Sequence, residues 1–440
     1  MDAAGTSAAG SAEAPPARRY VSTREAAFIG VGAMVGAGIF SLLGSAGAVA
    51  GAAVWLSFLL AGGIAALQGY SFAKLGSRYP TAGGLLEYVN RGYGVGHVAT
   101  TTAWLTFGAN LIITAMVALS FGSYASSALA GGNEVWHKLF AIGLVVVMTA
   151  LNAAGSTLVA KVQSAIVFVV VGILGAFAVV TIVNIEPTNL APSTYPGIQQ
   201  IVSSVALTFF AFLGFGVVTF TAKDLRDPHR QLPRAMTIAI GLATIVYVAV
   251  SLGVFGTLTV DEVIAAGPTA IAEAAKPVLG DAGYWLITVT ALFATSGATN
   301  AGLYPAMGLS DHLVSTGQFP AFMAGRTGGV HNGLLIVAVG VIALVAFFSL
   351  NAIASIGSAV ALMIFALVTA GHLRIRSATG ARLSILVLAL GTTLIALVTF
   401  VVTTLIQEPA SVVTLIAILV ISTIFDRLWS RPHEVEQPAA

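Results

Sequence analysis

Apolar segments of roughly twenty residues follow one another along almost the whole chain, and this repetition constrains the fold more than any other property. A hydrocarbon core about 30 Å thick is crossed by about 20 helical residues. The pattern predicts about twelve spans, at 25–47, 49–72, 97–128, 135–154, 157–183, 198–222, 235–258, 283–313, 332–350, 352–373, 383–406 and 409–428. An outer-membrane barrel would show alternating segments of about 10 residues instead of long apolar runs. Only 8% of the 440 residues are charged, against about 25% in soluble domains. That excludes an ordinary soluble enzyme.

The remaining composition narrows the partners. Nineteen basic and 17 acidic residues leave a net charge of +2, too thin for a nucleic-acid footprint. With no cysteine, there is no disulfide framework, thiol nucleophile or cysteine-ligated metal. No cofactor or metal is expected. Residues 1–22 contain no apolar stretch that a signal peptidase would recognise and read as a disordered, uncleaved tail. Placing the N-terminus in the cytoplasm puts Lys74, Arg78, Arg91, Lys223, Arg230 and Arg374 inside, and leaves only Lys138 and Lys276 outside. The positive-inside rule therefore predicts two cytoplasmic termini in a cell inner membrane.

Two spans are interrupted by glycine. Span one holds Gly30, Gly32, Gly36 and Gly38; span six holds Gly214 and Gly216 after Phe209, Phe210 and Phe212. Each glycine costs a helix about 1 kcal/mol relative to alanine. Taken singly, such residues read as close helix packing. Two interrupted spans five apart point instead to an inverted-repeat carrier with its site between them.

At these residues the chain resembles the amino acid–polyamine–organocation (APC) transporter superfamily. Gly36-Ala37-Gly38-Ile39-Phe40 is similar to that family's G-x-G-I-F motif, and Lys74-Leu75-Gly76-Ser77-Arg78-Tyr79-Pro80 with Gly83-Gly84 to its L-x-x-x-x-P-x-x-G-G signature. Phe209 to Gly216 resembles F-F-x-F-x-G-F, and Asp227 to Ala235 resembles N-P-x-R-x-(I/L)-P-R-A. Their order and spacing cover nearly the whole chain. The resemblance implies an all-α integral membrane protein of LeuT-like fold with broken helices one and six. It implies five-helix repeats at 25–183 and 198–373, two further helices at 383–428, and tails at 1–22 and 429–440.

The implied activity is transport of amino acids or related amines by alternating access, without enzymatic chemistry. Amides of Ala37, Gly38 and Ile39, freed from the helix beside Gly36, would hold the substrate carboxylate. Freed carbonyls of Phe210, Ala211 and Phe212 would accept from its ammonium, and the side chains of Asn110, Phe212, Phe215, Thr295 and Ser296 would read its variable group. One amide among phenyl rings suits small neutral or apolar amino acids.

The sequence also departs from the family. Many members carry a lysine midway along span five, with a helix-eight hydroxyl opposite; the matching residues here are Val170 and Ala294. No Asp, Glu or His lies in the middle of a span, so neither proton nor sodium coupling has a clear site. Lys161 lies near a span end, where it can snorkel. Thr295, Ser296 and Thr299 offer hydroxyls, although such residues often bond their own helix. Asn110 stands where the family often has a tyrosine, as a substrate contact or as glue between helices. The competing readings are a membrane enzyme, which lacks its acid/base cluster, and an amine or cation permease or sensor of the same fold.

Overall fold

The computed structural model describes residues 20–405, apart from 37, 82, 83, 95, 155–157, 316 and 318, together with the isolated positions 412, 416, 420, 423 and 424. Span twelve and both tails therefore lie largely outside the described residues, as do Ala37 and the Lys161 side chain. The described chain is helical except for a two-residue hairpin, Arg326–Thr327 with Val330–His331. It is a multi-pass membrane protein: among the described residues, nine segments are long and apolar enough to cross a bilayer. Large side chains such as Leu59, Phe168, Ile245, Trp285 and Val398 are exposed on the outside, as a lipid-facing surface requires.

Span one divides into α1 (Thr23–Val35) and α2 (Ile39–Ala50), each too short to cross alone. The start of α1 is fixed by a capping box, in which the Ser22 hydroxyl accepts from the Glu25 amide and the Glu25 carboxylate from the Ser22 amide. A 3₁₀ turn then leads into α3 (Val54–Arg78). Next come the short α4 (Leu85–Tyr93), the long α5 (His97–Leu129), α6 (Glu134–Ala153) and α7 (Leu158–Val183). Asn133 caps α6 by accepting from Val135 and Trp136.

Span six divides in the same manner. Its first half is α8 (Ile198–Phe210), and its second half winds as a 3₁₀ helix from Leu213 to Asp224. Such runs seldom exceed 3–4 residues because their hydrogen-bond geometry is poor, so 12 residues mark a weakened helix. After Asp227 as N-cap and Pro228 at the first position comes α9 (Pro228–Thr257).

The short α10 (Val260–Ala266) precedes α11 (Ala270–Leu303), which kinks where Gly280 takes φ 64°. The kink falls just before the apolar run that begins near residue 283. At the other end span eight breaks at Tyr304, and Pro305 starts α12 (Pro305–Ser315). Proline supplies no amide to continue the ladder. The last described helices are α13 (Asn332–Phe347), α14 (Leu350–Arg374), the single turn α15 (Arg376–Thr379) and α16 (Leu383–Phe400), the last continuing into a π-helical turn at Val401–Leu405. At 16 residues, α13 is shorter than the predicted span nine.

Glycines set how closely these helices approach. A Cβ on Gly62 would strike Thr244, one on Gly69 would strike Ile240 and Met236, and one on Gly76 would strike Leu232. These pairs run in opposite directions along α3 and α9, so the two helices pack antiparallel with small residues at the seam. Gly30 and Gly32, read from the sequence as places where the helix opens, stay inside α1 and perform this packing role against Val218 and Val167.

Candidate functional site

The two interrupted spans lie side by side and antiparallel. Gly30 faces Val218, Gly214 faces the backbone of Ala33 and Met34, Gly38 faces Ala211, and the Ser204 hydroxyl donates to the Ala46 carbonyl at 3.2 Å. At one end of the pair, the Val21 amide donates to the Asp224 carbonyl at 2.8 Å. The break in one span thus stands beside the break in the other, which is where a carrier of this design places its ligand.

On the span-one side, Gly36 and Gly38 keep right-handed dihedrals and Ala37 lies outside the described residues. The Gly38 amide still donates to the Met34 carbonyl at 2.9 Å, so it is not the freed donor expected from the sequence. What the break does produce is the start of α2. Ile39 and Phe40 are fully buried there, and Gly38 as N-cap offers no side chain. A buried helix start needs a partner for its first amides and carries a partial positive charge.

On the span-six side the freed carbonyls are only partly free. Phe212 accepts from the Phe215 amide at 3.0 Å, and Ala211 accepts from the Tyr247 hydroxyl, also at 3.0 Å. Phe210 packs its ring against Gly357 of α14. Phe212 meets the Tyr247 ring edge to face at 5.0 Å, whereas Phe215 is buried with Phe72 and Phe365 in an aromatic cluster between α3 and α14.

Tyr247 is the residue that sequence reasoning missed. It is fully buried on α9, touches Phe58 and Phe212, and its hydroxyl stands where a Gly38 side chain would be. A lone tyrosine within the apolar stretch from Ile245 to Val250 was the available signal.

The side chains expected to read the substrate are largely committed to the protein. Asn110 donates from Nδ2 to the Gly302 carbonyl at 3.0 Å, near the end of α11, where carbonyls lack helical partners. Thr295 and Ser296 both donate at 2.6 Å to their own helix, to Ala291 and Leu292. Thr299 donates to Thr295 at 2.9 Å. The donors of these four side chains are therefore spent within the protein.

Val170 and Ala294 do come together. With Gly32, Val35, Gly36, Ile166, Val167, Gly297 and Ala298 they line a cavity of about 10 Å³. It has room for about one water, and no lining side chain carries a polar atom.

Comparison with known proteins identifies the family. The sequence model of the family described as "Amino acid permease" matches residues 21–425. The chain is 32% identical over 410 residues to the inner membrane transport protein YbaT of Escherichia coli, covering 92% of this chain and 95% of that one. It is 27% identical to the methylthioribose transporter of Bacillus subtilis, covering 70% and 69% of the two chains. With the branched-chain amino acid permease BcaP of the same organism the identity is 26%, over 53% and 54%. The chain belongs to the amino acid permease family, within the APC superfamily of membrane transporters.

Proposed function

We propose that this permease moves neutral amino acids, small or apolar, across the cytoplasmic membrane by alternating access between two inverted five-helix repeats, with two further C-terminal helices and both termini inside. The observation that carries this reading is the antiparallel pairing of the two interrupted spans at Gly38 and Ala211. There the uncapped start of α2 faces the backbone of span six. The segment Gly36, Ala37, Gly38 and Ile39 holds the carboxylate, with the amides at the start of α2 as donors in place of Gly38's own. The carbonyls of Phe210, Ala211 and Phe212 receive the ammonium.

Phe210, Phe212 and Phe215 supply apolar surroundings, which favour an uncharged side chain. Asn110, Thr295 and Ser296 are secondary contacts: their donors hold helices, so what they offer a substrate is acceptor oxygen. The cavity at Val170 and Ala294 is the coupling-ion position of related carriers with its polar groups lost, so transport runs by exchange or facilitated diffusion.

Uptake of radiolabelled substrates into proteoliposomes, with and without preloaded substrate, tests this reading. The panel includes alanine, leucine, lysine and glutamate, with putrescine for amines and methylthioribose because one relative is named for it. Saturable uptake of alanine or leucine, stimulated by preloading, is expected. Binding without uptake would identify a sensor, and uptake confined to putrescine an amine permease.

A further inference from the structure

Away from the paired breaks, the ends of α3 and α9 and the turn between α14 and α16 line an open cavity of about 330 Å³. Ligand pockets begin at about this size. Its walls are Lys74, Ser77 and Arg78 of α3, His229 and Pro233 of α9, and the turn Ala378–Gly380. They carry two permanent cations and an imidazole, and no carboxylate. Among the described residues neither Lys74 nor Arg78 has an ion-pair partner. Cations gathered without a counter-charge create a field that concentrates anions.

The cavity walls are built rather than incidental. His372, fully buried behind the turn, lies 2.7 Å from the Ser71 hydroxyl through Nδ1 and 2.8 Å from the Thr379 hydroxyl through Nε2. Thr379 spends its proton on the Arg376 carbonyl at 3.0 Å. The Nε2–H of His372 therefore donates to Thr379. Tyr70 holds the other side. Its ring is 5.9 Å from the Lys74 ammonium, and its hydroxyl accepts from the Arg382 amide at 2.9 Å.

The chemistry of the walls selects the ligand. Thr379 and Ser77 have both given their protons to carbonyls, Ser77 to Pro228 at 3.0 Å. Recognition falls to Lys74, Arg78 and His229. His229 stands in the first turn of a 30-residue helix, whose start is the positive end. The carboxylate at that helix start, Asp227, accepts from the Arg230 amide and lies 3.8 Å from the Arg230 guanidinium. We propose that this cavity binds a phosphate-type oxyanion, supplied either by the headgroup of an anionic lipid or by free phosphate. Lys74 and Arg78 are its principal ligands, and an arginine and lysine side by side match a phosphate through a planar fork and a point charge.

Two measurements on the purified full-length protein distinguish the sources. Native mass spectrometry after release from nanodiscs of phosphatidylcholine and phosphatidylglycerol counts retained anionic lipid. Thermal melting in detergent with added inorganic phosphate, against chloride at equal ionic strength, reads free anion. Removing two charge-assisted contacts in Lys74→Gln/Arg78→Gln is expected to weaken whichever probe binds by at least about ten-fold. Lys74→Arg/Arg78→Lys should retain it.

Loss of phosphatidylglycerol alone assigns the headgroup; loss of the phosphate response alone assigns the free anion; loss of both assigns a site open to either. If the double variant does not elute as a single species, Arg78→Gln, at an exposed position, reads the same effect. The proposal is overturned if the wild type binds neither probe, or if a folded charge-removed variant binds both as the wild type does.

Discussion

A methyl group on Gly38 would stand 2.6 Å from the Cβ of Ala211 and 2.9 Å from its Cα, so the two interrupted spans touch where one of them has no side chain. The Tyr247 hydroxyl lies 2.6 Å from the same point. Since backbone atoms form part of the obstacle, no rotamer change relieves it. Gly38→Ala should therefore cost about 1–3 kcal/mol through overpacking and abolish most transport. Gly38→Leu should fail to fold. Pairing Gly38→Ala with Ala211→Gly removes one of the collisions and should restore part of the melting temperature. Wild-type melting and uptake in Gly38→Ala would show that the close approach is not required.

The Tyr247 hydroxyl occupies a carbonyl that the substrate ammonium is proposed to use. Tyr247→Phe leaves the buried Ala211 carbonyl unpaired, at a cost of ~1–3 kcal/mol, so the melting temperature should fall. A substrate that satisfies that carbonyl stabilises the variant by mass action. Saturating leucine should then raise the melting temperature more in the variant than in the wild type. Equal increments in the two proteins would remove Ala211 from the site.

Much of this arrangement was legible because bilayer crossing leaves a crude, long-range signature: nearly every apolar run of the sequence appears as a helix or a pair of half-helices. The breaks were legible from Gly36–Gly38 and from the run ending at Phe212. Glycine alone, however, does not separate opening from packing. Gly30 and Gly32 face Val218 and Val167 and Gly36 faces Ala294 and Ala298, whereas Gly38 alone of the four meets the opposite break, at Ala211. Hydrogen-bond traffic was hidden for the same reason. Nothing near Tyr247 in sequence announces Ala211, 36 residues away, and nothing near Asn110 announces Gly302.

Asn110 yields a prediction opposite in kind to a selectivity change. Its Nδ2 supplies the donor that the Gly302 carbonyl lacks beside the break at Tyr304. Asn110→Ala should lower the melting temperature, since an unpaired buried acceptor costs ~1–3 kcal/mol, and should lower uptake of every substrate in proportion. Asn110→Asp, which loses the donor but keeps the shape, should behave likewise. A change in the ratio of alanine to leucine uptake, at unaltered melting temperature, would return Asn110 to the substrate pocket.

The proposed uncoupled mechanism is tested at Val170 and Ala294. The cavity that they share with Gly32 and Gly36 has room for about one water and offers no polar side chain. An ion entering it would lose its hydration shell for little in return, and an unpaired buried charge costs several kcal/mol. Wild-type uptake in proteoliposomes with no other gradient should therefore be insensitive to a protonophore; its collapse would refute the uncoupled mechanism. The reverse substitution tests the same site. Val170→Lys must fit a longer, charged chain into about 10 Å³, so alone it should lower both yield and melting temperature. Adding Ala294→Ser supplies a hydroxyl acceptor across the cavity, and the pair should recover part of that loss while gaining protonophore sensitivity. If Val170→Lys is tolerated as well without the serine as with it, the two residues do not face a common site.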